Sequence, residues 1–403
     1  MKSIRLASIL MTAGWLNAGT IYTITDLGSL GGSSAEAFGL NANGLAVGSA
    51  ATPFGYEHAF SNSGSGITDL TVNTNASEGT AAGVNNGGTI IGTQYINGQA
   101  YATEWSNGSA QVVINGPGGA GSYGMAINNS GQIAGMMTTD GQGNAFVTIN
   151  GVVVDLGTLA GGDWSSAYAI NNSGGVAGYG NTGSGAFRGF VWSQAAGFTE
   201  LGTLGGASSY AMAINDLGQV AGDAQTASGY LNAFLWINGT MQDLGTLGGN
   251  NSYAYGVNDS GIVVGYSDVD GSGDPHAFIF ENGVMLDLNS LIDPSSGWIL
   301  TEAYAINGSG EIVGEGLLDG VEHAFLLDPI SGTQSAGVAS DPASDSTASD
   351  AATPEPAPWT LLAIGLIAVV SSRLRLRFPF PLPLPRLPRD PRQAHSQSDV
   401  SLR

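Results

Sequence analysis

Residues 210–249 read YAMAINDLGQVAGDAQTASGYLNAFLWINGTMQDLGTLGG, one complete copy of a unit that recurs along the chain. A triplet of a small residue, an apolar residue and Asn recurs at spacings of 43 or 44 residues, with one spacing of 49. The seven asparagines are Asn41, Asn85, Asn128, Asn171, Asn215, Asn258 and Asn307. A glycine follows each of them seven residues later, so the chain is a repeat protein.

Each copy predicts four short β-strands. Residues 210–215 alternate and are rich in alanine, which suits an inner strand at a crowded axis. The second, third and fourth strands are predicted at 219–222, 232–236 and 241–244. Turns of the Asn-Asn-Ser-Gly and Asn-Gly types separate them, because Asn bonds back to the backbone and Gly accepts a positive φ.

Four strands per unit of about 43 residues is typical of a propeller blade. The seventh copy ends at residues 325–327 without a fourth strand, whereas the chain begins with an unpaired strand at 21–27. Pairing the two would close a ring and remove its free edges. The sequence therefore predicts an all-β, seven-bladed β-propeller over residues 19–330, closed by the N-terminal strand. A β-solenoid is the alternative, but it has no use for the additional strand.

The repeat region is strongly acidic. Of 32 Asp and Glu, 29 lie between Asp26 and Asp350, where Arg188 is the sole Lys or Arg. Such a surface repels phosphate backbones, so we expect no nucleic-acid partner. The chain has no cysteine, which excludes disulfides, zinc–thiolate sites and thiol nucleophiles.

Both ends of the chain are predicted to carry targeting signals rather than parts of the folded domain. Residues 1–18 combine two basic residues, an apolar run and Ala18, the pattern of a secretory signal peptide. Residues 331–353 are predicted to form a disordered acidic Ser/Ala spacer. A sorting signal is predicted at 354–377, with a short transmembrane segment at 357–372 followed by arginines on its cytoplasmic side.

This C-terminal region resembles the PEP-CTERM sorting signal of Gram-negative bacteria, which consists of a Pro-Glu-Pro motif (here Pro354-Glu355-Pro356), a membrane segment and a basic cluster. The resemblance implies an exosortase-type sorting enzyme as partner, a membrane anchor that is at least transient, and a place at the cell surface or in an exopolysaccharide matrix. The chain departs from the family in continuing beyond the arginines as a Pro/Arg-rich tail, residues 378–403.

The repeat itself resembles the HAF-type extracellular repeat proteins of bacteria. The shared wording is Asp-Leu-Gly-Thr-Leu-Gly-Gly, best seen at 243–249, then Ala-Ile-Asn, Gly-x-Val-x-Gly and His-Ala-Phe, complete at His58, His276 and His323. The match spans residues 21–328. It implies an extracellular location, and it implies no activity because the family is defined by sequence and location.

The three histidines could form a metal cluster on neighbouring blades 1, 6 and 7. Against this, the other four blades place unrelated residues at that position, namely Tyr101, Asn144, Arg188 and Asn232. We therefore expect the histidines to be structural polar residues at a strand start. The repeated Asp26, Asp155, Asp243 and Glu200 are expected to be turn or strand-edge acceptors. No Ser-His-Asp order recurs, so we predict that the protein is not an enzyme.

One acidic segment departs from the repeat. Asp268, Asp270, Ser272 and Asp274 offer oxygen ligands at positions 1, 3, 5 and 7 of a glycine-containing loop, which suits Ca²⁺. The acid expected at position 12 is replaced by Ile279, so Glu281 or water would complete the site. The alternative is a solvated acidic hairpin loop.

Trp164 and Trp298 also lie outside the repeat consensus, each between the fourth strand of one blade and the first strand of the next. In antiparallel blades these connections share a face with the Asp268 loop. An exposed Trp beside acidic and Asn-rich loops can stack on a sugar ring, which makes both tryptophans candidate ligand-binding residues. The alternative is that each packs under its own loop.

The predicted targeting signals and propeller fold together indicate a monomeric, non-enzymatic surface protein. We expect it to bind extracellular polysaccharide or another surface component through one propeller face, with Ca²⁺ as a candidate cofactor. One alternative is an adhesion or structural protein that binds a protein partner. A propeller hydrolase is the other.

Overall fold

The structure is a computed structural model of the chain, and it describes residues 21–330 except 73, 117–118 and 271–273. The predicted signal peptide, spacer, sorting signal and tail (1–18, 331–353, 354–377 and 378–403) lie outside the described residues. So does the predicted membrane segment 357–372. Within the described residues, no helix is long and apolar enough to cross a membrane.

The described residues form 28 strands in seven four-stranded antiparallel sheets. The N-terminal strand β1 is Tyr22–Asp26. Blade 1 contains β2 (Ala35–Leu40), β3 (Ala46–Ala51), β4 (Glu57–Asn62) and β5 (Ile67–Asp69). Blade 2 contains β6 (Glu78–Val84), β7 (Ile90–Ile96), β8 (Gln99–Ser106) and β9 (Ser109–Ile114). Blade 3 contains β10 (Ser122–Ile127), β11 (Ile133–Thr139), β12 (Gln142–Ile149) and β13 (Val152–Gly157). Blade 4 contains β14 (Ser165–Ile170), β15 (Val176–Asn181), β16 (Phe187–Ser193) and β17 (Gly197–Glu200).

The remaining blades follow the same plan. Blade 5 contains β18 (Gly205–Ile214), β19 (Val220–Thr226), β20 (Leu231–Ile237) and β21 (Thr240–Asp243). Blade 6 contains β22 (Ser252–Val257), β23 (Val263–Asp268), β24 (Pro275–Glu281) and β25 (Val284–Asp287), and the short 3-10 helix Leu288–Ser290 follows it. Blade 7 contains β26 (Trp298–Ile306), β27 (Ile312–Leu318) and β28 (Val321–Pro329).

Blade 7 takes its fourth strand from the other end of the chain. β1 pairs antiparallel with β28, from Tyr22 opposite Pro329 to Asp26 opposite Phe325. The predicted seven-bladed propeller closed by its N-terminal strand is therefore confirmed, and the alternative solenoid is wrong. The closing strand satisfies the outer backbone groups of β28, which would otherwise form a free edge.

The core consists of one buried Phe in every blade but the second, packed against alanines of the inner strands. Phe60, Phe146, Phe190, Phe234, Phe278 and Phe325 are all fully buried, and Thr103 takes this position in blade 2. The repeated glycine of the second strand makes room for this packing. In blade 5, a Cβ on Gly222 would collide with the carbonyl oxygen of Tyr210 on the inner strand. The glycine that marks each copy is thus required by the close approach of two backbones.

The repeated Asn of each copy joins its blade to the next. In blade 1, Asn41 Oδ1 accepts hydrogen bonds from the backbone N–H groups of Asn43 and Leu45 at 2.9 and 3.0 Å. Its Nδ2 donates to the carbonyl oxygen of Asn85 in blade 2 at 2.9 Å. The same bond recurs at every blade boundary, with lengths of 2.8–3.2 Å, from Asn41 through Asn85, Asn128, Asn171, Asn215, Asn258 and Asn307 back to Asn41. These seven buried residues form a closed ring, called here the asparagine ring.

Candidate functional site

The antiparallel order of the strands gives the propeller two different faces. The turn face carries the tight turns between the first and second strands and between the third and fourth, including the asparagine ring. The loop face carries the connections from the second to the third strand and from the fourth strand to the next blade. Trp164, Trp298 and the Asp268 loop all belong to the loop face, as predicted.

The loop-face end of the inner two strands is where the blades differ from one another. In each blade, the repeated glycine of the second strand is paired with a residue of the first strand. The cross-strand pair next to it, on the loop-face side, differs from blade to blade, and we call these seven pairs the variable pairs. They are Glu36–Ser49, Thr80–Thr93, Tyr123–Met136, Ser166–Tyr179, Tyr210–Asp223, Tyr253–Tyr266 and Glu302–Glu315, in blades 1 to 7. The adjacent glycines do not vary, so the variable pairs carry the chemistry that distinguishes one blade from another.

Tyrosines dominate the variable pairs of blades 4 to 6. Tyr168 stacks on Tyr179 at 5.0 Å between ring centroids, and their hydroxyls are 3.0 Å apart. Tyr179 meets Tyr210 of the next blade edge to face at 4.9 Å. Tyr253 stacks on Tyr266 at 4.6 Å. With the adjoining Tyr255 and Tyr304, whose rings are 5.4 Å apart, these residues form the tyrosine arc.

A buried carboxyl group lies within the tyrosine arc. Asp223, on β19 opposite Tyr210, is only 5% exposed. Burial raises the pKa of Asp223 well above its usual value. Burial likewise raises the pKa of Tyr168 to about 12. At neutral pH the surrounding tyrosines are therefore neutral hydroxyl groups, able both to donate and to accept hydrogen bonds.

A second group of carboxylates lies where blade 7 meets blade 1. We call Glu36, Glu302, Glu315 and Glu322 the glutamate cluster. One carboxylate oxygen from each of Glu36, Glu315 and Glu322 lies within 4.8 Å of the others. Burial raises the pKa of Glu36 to about 8, with a further contribution from the charge of Glu322. Burial also raises the pKa of Glu302 to about 7, and that of Glu315 well above its usual value.

Within the part of the chain that the structure describes, the glutamate cluster has no Lys or Arg to compensate its charge. Arg188, the sole Lys or Arg in residues 21–330, belongs to β16 in blade 4. Its guanidinium donates to the carbonyl oxygens of Phe187 and Ala207. The ion pairs found among the described residues are instead three His–Asp pairs at the outer part of the blades.

These His–Asp pairs account for two features of the repeat, the His of His-Ala-Phe and the Asp at the end of the fourth strand. His58, His276 and His323 lie 2.8, 2.7 and 3.2 Å from Asp69, Asp287 and Asp26, each in its own blade. In blades 3 and 5 an Asn replaces His and bonds the equivalent Asp, as Asn232 does to Asp243. The histidines thus act as the expected structural polar residues.

The repeated aspartates also cap the following turn. Asp26, Asp155 and Asp243 each accept a hydrogen bond at 2.8 Å from the backbone N–H two residues later. Their predicted role as turn acceptors is confirmed.

The two candidate tryptophans are three blades apart. Trp164, in blade 4, is half-buried and lies 5.4 Å from the ring of Tyr179, so it adjoins the tyrosine arc. Trp298, in blade 7, is half-buried against His323 and Phe325, with ring centroids 6.2 and 6.1 Å away. The structure therefore does not bring the two residues together, and their role in ligand binding stays a prediction.

The predicted calcium loop is only partly described, because Ser272 lies among the omitted residues 271–273. Asp268 ends β23, and its Oδ2 accepts hydrogen bonds from the backbone and side-chain nitrogens of Asn251 at 3.1 and 3.0 Å. One oxygen of the first predicted ligand therefore already stabilises the neighbouring loop. Calcium binding by Asp268, Asp270, Ser272 and Asp274 stays a prediction.

The tyrosine arc and the glutamate cluster were missed from the sequence. The signal that could have found them is a change of residue type at one fixed position of the repeat. Residue 36 is Glu where residue 253 is Tyr and residue 166 is Ser, although all three precede the same buried alanine. A position that varies among otherwise regular copies is where a repeat protein places its specific contacts.

No family model matches the chain, and no curated protein matches it. Solved structures do resemble it. They include a puromycin-hydrolysing peptidase from Mycobacterium tuberculosis (11% identity, TM-score 0.50, covering 77% of this chain and 55% of the peptidase). TolB from Acinetobacter baumannii is another (10% identity, TM-score 0.39, covering 75% of this chain and 65% of TolB). A gluconolactonase from Xanthomonas campestris is a third (11% identity, TM-score 0.37, covering 77% and 96%).

This chain spans less than two-thirds of the peptidase and of TolB. At such low identities the likeness shows the β-propeller fold alone.

Proposed function

We propose that this chain is a non-enzymatic extracellular repeat protein that binds a polysaccharide through the loop face of its propeller. The tyrosine arc carries the proposal. Its rings offer apolar surface on which a pyranose can stack, and its hydroxyls are partners for sugar hydroxyls. Five of its seven tyrosines are half-buried, so their rings are held in place but keep part of their surface accessible to a ligand.

Charge restricts the class of polysaccharide. Between Asp26 and Asp350, the Asp and Glu residues outnumber Lys and Arg 29 to one. A polyanion would be repelled by this field. We therefore expect a neutral glycan, or one that carries amino groups, to bind more tightly than a uronate-rich or sulfated glycan.

The predicted address supports the same role. The signal peptide at 1–18 and the sorting signal at 354–377 would place the propeller at the cell surface or in its matrix, handled by an exosortase-type enzyme. A binding face that varies from blade to blade, on a scaffold that does not, suits a surface protein that recognises one component of that matrix.

The test is a panel of immobilised neutral, amino-sugar and acidic polysaccharides probed with the purified full chain. Tyr210→Ala and Trp164→Ala should each weaken binding by about fivefold or more, since a stacking contact is expected to contribute about 1 kcal/mol or more. Tyr230→Ala is the matched control, because Tyr230 is 47% exposed in a loop of the same face but outside the arc. Trp298→Ala tests the second predicted tryptophan separately.

Equal binding by Tyr210→Ala and the wild type would overturn the proposed site. A preference for acidic polysaccharides would contradict the argument from charge.

A second candidate function, binding of a protein partner, has one observation in its favour. Phe54 and Tyr56, in the loop between β3 and β4 on the loop face, are 86% and 51% exposed. Exposed aromatic residues of this kind are frequent anchors of protein interfaces. Loss of a captured surface protein in Phe54→Ala, with polysaccharide binding absent in the wild type, would favour this function over the first.

A further inference from the structure

We propose that the glutamate cluster is a binding site for a divalent cation of the Ca²⁺ class, and that the ion clamps blade 7 to blade 1. This site is distinct from the predicted Asp268 loop. It adjoins the tyrosine arc, where Tyr304 hydrogen-bonds to Glu302, but it does not depend on the proposed function. Three lines of observation support it: geometry, an unsatisfied buried oxygen and the absence of a competing basic side chain.

The geometry suits a calcium ion. Ca²⁺ binds oxygen ligands at about 2.3–2.6 Å, so two of its ligands can be no more than about 5 Å apart. The oxygens of Glu36, Glu315 and Glu322 satisfy this limit, since all lie within 4.8 Å of one another. Glu302 lies opposite Glu315 in the register of β26 and β27, but its carboxylate is not one of the three that meet this limit.

The second observation is an orphaned oxygen. Glu315 Oε2 is shut off from solvent and receives no hydrogen bond from an N–H or hydroxyl donor of the described residues. A buried carboxylate oxygen without a donor is costly, and native structures rarely leave one unsatisfied. The groups around Glu315 are other carboxylates. Glu302, Glu36 and Glu322 repel its charge, and its hydrogen bond to Glu36 requires a proton on one of the two when no ion is bound. A cation at the centre of the cluster would satisfy this oxygen and offset the repulsion.

The third observation is that, among the described residues, no Lys or Arg can take the place of the ion. Arg188 is three blades away and bonds backbone carbonyls there. Glu36, Glu315 and Glu322 are half-buried, so each side chain keeps part of its surface exposed although Glu315 Oε2 itself does not.

The position of the cluster gives the ion a structural role. Glu36 belongs to β2 in blade 1, whereas the other three belong to β26, β27 and β28 in blade 7. β28 is also the strand that pairs with β1. An ion bound by both blades would therefore cross-link the place where the ring closes, on the loop face, opposite to the asparagine ring.

The experiment uses the purified full chain with Ca²⁺, and with Tb³⁺ as a luminescent probe of the same oxygen site. Tyr304 hydrogen-bonds to Glu302, so excitation of tyrosine should sensitise Tb³⁺ emission. Ca²⁺ should compete for the ion, and saturating Ca²⁺ should raise the melting temperature by about 3 °C or more relative to chelator.

Glu315→Gln and Glu36→Gln should each weaken Ca²⁺ binding at least tenfold and abolish most of the shift in melting temperature. Both substitutions keep the shape and remove a repelled charge, so both variants are expected to fold in chelator at least as well as the wild type. Glu200→Gln, on the exposed end of β17, is the matched control and should bind as the wild type does.

Asp268→Asn separates the two candidate calcium sites. If it abolishes binding while Glu315→Gln and Glu36→Gln do not, the ion belongs to the Asp268 loop and the proposal fails. The proposal also fails if neither Ca²⁺ nor Tb³⁺ binds, since the cluster would then be held together by shared protons.

Discussion

The side-chain Nδ2 of Asn307 donates a hydrogen bond of 3.1 Å to the carbonyl oxygen of Asn41, although 266 residues separate the two along the chain. This bond is the last link of the asparagine ring. The ring fixes the turn face of every blade to its neighbour, whereas β1 closes only the outer edge of blade 7. Closure is therefore secured at two radii, near the axis and at the rim.

Removal of one hydrogen bond of the asparagine ring should lower the free energy of unfolding. Asn171→Asp keeps the acceptor oxygen that holds its own turn but replaces the donor that faces the carbonyl of Asn215 in the next blade. We expect a loss of about 1–3 kcal/mol in the free energy of unfolding, measured by chemical denaturation. Asn129→Asp is the control, because that exposed residue lies outside the ring, and its substitution should cost less than about 0.5 kcal/mol.

The repeated glycine of the second strand should tolerate no side chain. In Gly222→Ala the new Cβ would meet the Tyr210 carbonyl oxygen and a neighbouring backbone, so neither can give way cheaply. We expect a loss of about 3 kcal/mol or more. Gly218→Ala, at a positive φ of 75° in open space, should cost only about 1 kcal/mol. A Gly222→Ala variant as stable as Gly218→Ala would contradict the close approach described for β18 and β19.

The stability of the fold should decline as pH rises, and Asp223 should account for part of the slope. Because burial raises the pKa of Asp223 well above 3.8, the folded state binds more protons than the unfolded state above that pH. The free energy of unfolding therefore falls as pH rises from about 4 toward the folded pKa, by up to about 1.4 kcal/mol per pH unit.

Denaturation in chelator at a series of pH values measures this slope. Asp223→Asn should flatten it and should be more stable than the wild type at pH 8. An unchanged slope in Asp223→Asn would show that Asp223 is ionised in the folded state.

Removal of the N-terminal strand should leave blade 7 with three strands. Deletion of residues 21–27 exposes the outer edge of β28 and also removes Leu27, which is 3% exposed in the core. We expect a lower melting temperature and concentration-dependent association, since an unpaired edge is a template for another chain. Sedimentation and thermal unfolding measure both effects. Deletion of residues 331–403 is the control, because it leaves all 28 described strands in place.

The architecture could be predicted from the sequence because each blade repeats the same residues at the same spacing. Seven copies of the Asn and Gly landmarks indicated seven blades, and the incomplete last copy together with residues 21–27 indicated how the ring closes. The Asp at the end of the fourth strand was correctly interpreted as a turn acceptor. Its partnership with His58 or Asn232 was not predicted, because the two motifs are 11 residues apart on strands whose pairing register only the structure supplies.

The candidate site could not be predicted in the same way. Glu36 and Glu315 belong to opposite ends of the repeat region. They meet only because blade 7 lies next to blade 1 in the closed ring. Each of them is a single departure from a repeat rather than a motif, so no spacing pointed to a cluster. The tryptophans illustrate the reverse case, since Trp164 and Trp298 share a face as predicted but lie in blades 4 and 7.

The pairing of β1 with β28 also sets an order of events in time. Blades 1 to 6 are each built from one contiguous stretch, so each can form as soon as its own residues are available. Blade 7 can form only after residue 329 has been made available. Until then β1 lacks β28, the strand with which it pairs. Such a contact between distant residues is slow to form. Folding should therefore end with a slow step at one place, and unfolding should begin there.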